Sequence, residues 1–260
     1  MIRLLTLALL LLPDLAAAAP RRVVSLNLCT DEYLLAVAAP VQIVSLTHLG
    51  HDPNENRWAD QAKRFGTNNG TIDSVAVQQP DLILTMGGAP DDRIGLARAL
   101  NARLMILPYP QTLDDVAANL VHVATVLGRP QAAQIWRERF KQMRASAPRR
   151  LHQASFVTSE GLTILPDGLS AQWMRLAGLR QVAMAGSRLT SEMLLTMKPI
   201  WLLNSRYRIG QMARSQRWPG LQFVRHRPGW RVIDTDGRGW LCGGPSLIDE
   251  IMRLRGQTKG

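Results

Sequence analysis

Short apolar runs recur along this chain, each followed by polar or glycine-containing residues and then by a helical pattern, and the whole series occurs twice. In the first half the runs cover residues 23–26, 42–46, 81–86 and 104–107; in the second they cover 154–158, 200–204 and 231–235. Short apolar runs alternating with helical periods specify strands of an α/β fold, in which crossover helices pack on a largely parallel sheet. Between the halves, Leu113, Val116, Ala117, Leu120, Val123, Ala124 and Leu127 keep a helical spacing that Gly128 closes. Pro130 then stands at a helix-start position and opens a second helix carrying Ala133, Ile135, Trp136, Phe140 and Met143, which Pro148 stops. The expected organisation is two α/β lobes, residues 20–129 and 148–260, joined by one helix over residues 130–147.

With 46% hydrophobic and 20% charged residues in 260, the chain can bury a sizeable core, and two cysteines are too few for a disulfide-stapled scaffold or a four-thiolate zinc site. Residues 1–19 read as a secretory signal peptide: Arg3, an apolar run over 4–12, then small residues at 16–19. That run is shorter than a membrane span, and no later segment reaches about 18 consecutive apolar residues. The expectation is an exported, soluble protein, and export permits a disulfide between Cys29 and Cys242. Arginine supplies 27 of the 31 basic residues in a chain of formal charge +11, which invites a nucleic-acid or anionic-ligand reading. Export and the lack of a recognition motif argue against nucleic acid.

Signatures of catalysis are weak. Gly237-Arg-Gly239-Trp-Leu-Cys-Gly243 approaches the spacing of a dinucleotide loop, yet it lies too near the C-terminus for the rest of a βαβ unit to follow. Neither a GxxxxGK[ST] phosphate loop nor a GxSxG elbow is present. His48, His51 and Asp52 look like a fragment of a metal site, but zinc needs three or four ligands and the remaining histidines, His122, His152 and His226, have no supporting spacing. No resident metal, cofactor or catalytic residue is expected.

One repeat is sharper than the rest. Asp73 stands seven residues before Pro80, which opens the run 81–86, and Glu192 stands seven residues before Pro199, which opens the run 200–204. A carboxylate in the first turn of a short helix, favoured by capping and the helix dipole, accounts for either acid alone. A shared role on the two lobes accounts for both together.

These blocks, the start Arg22-Val-Val-Ser-Leu-Asn-Leu-Cys-Thr-Asp-Glu-Tyr-Leu-Leu, the segment Pro80-Asp-Leu-Ile-Leu and the mid-chain helix resemble periplasmic binding proteins of the ferric-siderophore and cobalamin class. The resemblance implies two Rossmann-like lobes on one rigid helix, a ligand cleft between them, small lobe movements on binding, and a monomer that serves an ABC importer. Asp73 and Glu192 then correspond to acids that dock on arginines of the permease dimer in the inner membrane. The ligand-holding loops correspond to residues 27–30, 48–52, 86–89, 170–173, 205–208 and 240–244. Candidate ligand contacts in or beside them are Asn27, Cys29, Thr30, His48, His51, Met86, Trp173, Arg206, Arg208, Trp240 and Cys242. Arg206 and Arg208 suit an anionic chelate, or are solvated loop residues. A ferric siderophore leads as ligand, with cobalamin or another corrinoid next and haem third. The cysteines, one from each lobe, are bridged, free beside the ligand, or simply packed. An exported α/β enzyme acting on a small molecule in the same cleft is the alternative reading.

Overall fold

A computed structural model describes residues 19–88, 91–184, 186–211 and 217–259. All but the last residue of the expected leader, and Ala89 of the 86–89 loop, lie outside the described residues. The first sheet has the order β3-β2-β1-β4-β5, formed by β1 (Val23–Ser25), β2 (Ile43–Thr47), β3 (Gly66–Asn68), β4 (Leu82–Met86) and β5 (Arg103–Leu107). The second has the order β7-β6-β8-β9, formed by β6 (His152–Val157), β7 (Leu179–Gln181), β8 (Trp201–Ser205) and β9 (Arg231–Thr235). Every pairing is parallel.

Parallel strands need crossovers, and short helices supply them. In the first lobe these are α1 (Leu28–Val37), α2 (His48–His51), α3 (Ala59–Ala62), α4 (Ile72–Val75) and α5 (Asp91–Ala99). Then come α6 (Leu113–Val126) and α7 (Pro130–Ala145), and in the second lobe α8 (Leu169–Leu176), α9 (Ser191–Thr196), α10 (Gly220–Arg225), α11 (Arg238–Cys242) and α12 (Leu247–Thr258). Because each sheet is wholly parallel, the loops leaving its C-terminal strand ends gather on one side, which is where open α/β sheets hold ligands.

Each of the seven apolar runs contains a strand, as expected. The two strands that the runs do not announce, Gly-Thr-Asn of β3 and Leu-Arg-Gln of β7, are three-residue edge strands. Paired on one side only and partly exposed, they need no continuous apolar stretch.

The helix between the lobes starts with Pro130 as its first residue, after α6 has opened on a capping box. In that box the Thr112 hydroxyl accepts from the Asp115 amide at 3.1 Å and the Asp115 carboxylate accepts from the Thr112 amide at 2.9 Å. On α7, Ala133, Trp136, Phe140 and Met143 form one buried stripe. Ile135, expected among them, is 61% exposed, since it falls outside that three-and-four spacing. Trp136 donates its indole N–H to the Ala36 carbonyl of α1 at 2.9 Å and meets Trp58, while Phe140 meets Trp173 of α8 with ring centroids 5.9 Å apart. One helix therefore packs on both lobes. A single apolar cluster runs from Leu34 and Leu84 through the α7 stripe to Trp173, Leu203 and Ile251.

A core shared in this way makes the lobes unfold together. Truncating Phe140→Ala should cost about 3–5 kcal/mol. In denaturant, intrinsic fluorescence and far-UV circular dichroism should still report one coincident transition, whereas two separated transitions would show lobes that are stable alone.

Candidate ligand-binding cleft

The C-terminal strand ends of the two sheets face each other. Beyond β2, the loop of residues 52–58 leaves the first lobe and lands on the second. Glu55, 4% exposed, accepts from the Tyr207 hydroxyl at 2.5 Å and from Nε of Arg208 at 2.6 Å, both just past β8. Arg208 is held there in the left-handed region, φ +51°, a strained conformation for a side chain of its size that its ion pair with the buried Glu55 carboxylate pins in place. Burial and then the Glu55 carboxylate push the Tyr207 phenol up to about 12. Arg57 reaches Asp236 at 2.8 Å and Glu250 at 3.2 Å, and Arg238 donates to the Pro53 carbonyl at 2.6 Å. Burial disfavours an ionised Glu250, but hydrogen bonds from Arg253, Thr235 and the Asp236 amide outweigh it and hold the carboxyl below its usual range.

Cys29 and Cys242 are joined across this seam, with Cα atoms 5.3 Å apart, which decides among the three readings of the cysteines. Beside the bridge lie two buried carboxyls of α1. Asp31 accepts from the Thr47 hydroxyl at 2.5 Å and from its amide; burial lifts it to about 7 against those hydrogen bonds. Glu32 is lifted to about 8, again chiefly by burial.

Between the strand ends of the second lobe lies a cavity of about 230 Å³ whose walls include Phe156, Tyr207, Trp240 and Leu241. Trp240 donates its indole N–H to the Thr235 hydroxyl at 2.9 Å and packs on Phe156, which fixes its ring in the wall. On the first lobe, exposed Tyr109 follows β5, and its ring covers Gly87 so closely that a Cβ there would come within 2.5 Å of it. A separate cavity of about 570 Å³ lies on the seam, with Arg57, Arg206, Arg208, Arg238 and Arg253 in its walls.

The structure divides the residues expected to touch ligand. Trp240 lines the apolar chamber. Arg206 and Arg208 line the seam cavity, where Arg208 is taken up by Glu55 and Arg206 lies 3.7 Å from Asp234. Cys29 and Cys242 are consumed by their bond. Trp173 is fully buried, its indole N–H bound to the Gly243 carbonyl at 2.9 Å, so it is core and not cleft wall. Met86 and Thr30 are likewise buried, the Thr30 hydroxyl 2.7 Å from that of Ser25. Asn27 caps α1 by accepting from the Cys29 amide at 2.8 Å. His51 places its ring nitrogens 3.0 and 3.2 Å from the carbonyls of Thr47 and Phe65, so that its N–H is taken up by the backbone, while His48 is exposed. Among the described residues no three His, Cys, Asp or Glu side chains converge as metal ligands.

Asp73 and Glu192 occupy equivalent places. In α4 and α9 the cap is the threonine two residues before the acid: Thr71 accepts from the Ser74 amide and Thr190 from the Met193 amide. Both acids are exposed, and neither forms an ion pair among the described residues.

Sequence reasoning missed Glu55, Arg57 and Tyr109, and it included Tyr207 and Leu241 only within the loops 205–208 and 240–244. Tyr109 had a legible sign, an aromatic between two prolines directly after a strand run; the seam charges had none, because their partners lie more than 150 residues away.

Two parallel-sheet lobes that face each other across a cleft and hang on one helix define a two-lobe solute-binding protein. Residues 23–235 match the periplasmic binding protein family, and the chain belongs to it. In fold it is similar to the periplasmic haem-binding protein HutB of Vibrio cholerae, at 17% identity and TM-score 0.71, over 92% of this chain and 99% of that one. It is similar also to the vitamin B12-binding protein BtuF of Vibrio cholerae, at 19% identity and TM-score 0.64, over 93% and 97%. A third likeness is to the siderophore-binding protein BauB, solved with two acinetobactin molecules and ferric iron, at 14% identity and TM-score 0.66, over 94% and 95%. No curated protein matches the chain.

The carboxyls of Asp31 and Glu32 bind their protons more tightly in the folded chain than in the unfolded one, whose values are 3.8 and 4.5. Their contribution to stability is therefore present at low pH and is lost as pH rises through about 7 and 8. The melting temperature should fall steadily from about pH 5 to pH 9, because each tenfold difference in proton affinity between the folded and unfolded chain is worth about 1.4 kcal/mol. Asp31→Asn with Glu32→Gln should flatten the profile. A profile as steep in the double variant would assign the dependence to other groups.

Proposed function

We propose that the protein is a periplasmic receptor that takes a metal chelate between its lobes and delivers it to the permease of an ABC importer, with no chemistry performed on the ligand. It is exported by the leader over residues 1–19 and works as a monomer, with lobes 20–129 and 148–260 on the helix 130–147. The observation that carries the reading is the largely apolar chamber at the strand ends of the second lobe, on the side that faces the first, walled in part by Phe156, Tyr207, Trp240 and Leu241. Such a wall buries the face of a bulky ligand, and the Ser159 hydroxyl in it donates to the Ser205 carbonyl at 3.1 Å, an arrangement that favours a receptor over an exported α/β enzyme.

The same chamber orders the chelates differently from the arginines in the sequence. Arg206 and Arg208 already face Asp234 and Glu55, so an anionic ferric siderophore would have to displace protein carboxylates to reach them. A corrinoid or haem, with an extended apolar face, suits the aromatic wall and Tyr109 without that cost. Native mass spectrometry of protein purified from its own periplasm tests this: a tetrapyrrole mass is expected, and a siderophore complex in the cleft would overturn the preference.

Asp73 and Glu192, exposed at matching positions on the two lobes, serve in this reading as the carboxylates that meet arginines on a dimeric permease. Reversing both to lysine should abolish chelate uptake by intact cells while leaving affinity nearly unchanged, since neither acid lines the chamber. Undiminished uptake would remove the docking role.

A further inference from the structure

α1 enters the seam with Cys29 and Glu32 one turn apart on the same face. Cys29 is bonded to Cys242, and Glu32 lies against the turn 243–246 that follows. The approach is so close that a Cβ added to Gly244 would come within 2.7 Å of Glu32 Oε2. Glu32 is 2% exposed, and Oε2 has no hydrogen-bond partner; the hydroxyl of Ser246, on the opposite lobe, has none either.

The charges around this carboxyl do not suit a carboxylate. Asp31, next on the same helix, is itself buried and raises the cost of a second negative charge. Arg57, from the loop of residues 52–58, favours ionisation, but its guanidinium is in contact with Asp236 and Glu250. From α12, Glu250 is matched by Arg57 and Arg253. The turn itself brings no charge; the hydroxyl and amide of Ser246 lie near enough to favour ionisation, but burial opposes it more strongly. A neutral acid can rest in such a place, whereas an ionised one with an unpaired buried oxygen calls for water.

We propose that Glu32 is a proton-operated clasp on the lobe seam: protonated, it lets α1 and the turn 243–246 pack dry, and on ionisation it draws water between the lobes and uncovers the Cys29–Cys242 bond. The cleft would then loosen from the disulfide side as pH rises, while α7 keeps the lobes attached. Burial, the main influence on this group, places the transition at about 8, within reach of mild alkalinity.

Reduction of the disulfide reads the opening without any ligand. Wild-type protein and Glu32→Gln, which mimics the neutral acid, are exposed to a water-soluble phosphine at each pH from about 6 to 9, so that the reagent's own pH dependence cancels in the ratio of rates. That ratio should rise roughly tenfold or more across the range, following the ionised fraction of one carboxyl. A ratio that stays constant overturns the proposal. For wild type alone, hydrogen exchange corrected for base catalysis should show protection falling in residues 29–34 and 243–246 but not in α6. Protection that is unchanged, or that falls equally in α6, overturns it as well.

Discussion

The loop that leaves β2 carries Glu55 and Arg57 out of the first lobe, and of their partners Tyr207, Arg208 and Asp236 stand just beyond strand ends of the second, while Glu250 comes from α12. Two sheets that present their C-terminal ends to one another expose rows of loop backbone and charged tips, and without cross-pairing those groups would have to stay hydrated. The seam resolves this on one flank of the cleft and leaves the other wall aromatic. Arginine in this region is thus a structural adhesive: Arg57, Arg208 and Arg238 hold the lobes, and the neighbouring cavity is walled by Phe156, Tyr207 and Trp240.

The architecture was legible because it rests on periodicity. Parallel strands buried on both faces leave unbroken apolar runs, and the α7 stripe leaves a helical spacing, so seven strands and the joining helix could be read directly. What escaped were β3 and β7, whose edge positions demand little burial, and Ile135, whose apolar side chain the surface tolerates.

The site was legible in a different sense. Position along the chain located the loops, and Trp240 and the two acids at 73 and 192 fell where those loops and short helices put them. Residue type misled where a side chain has two common uses. Trp173 looked like a cleft aromatic and is core; Thr30 and Asn27 looked like polar ligand contacts and instead complete the start of α1. His51 is spent on backbone carbonyls. In each case the deciding fact is a partner distant in sequence or a local backbone group, and neither is visible from composition or spacing.

The bond between Cys29 and Cys242 spans 213 positions. On the proposed export route the first thiol waits for the second while the 213 positions that separate them cross. The first lobe can take shape during that interval, with Asp31 held by Thr47, yet Cys29 and Glu32 lack their second-lobe partners until residues 242–246 arrive. On that route, closing the seam is a late covalent step, separate from ligand capture.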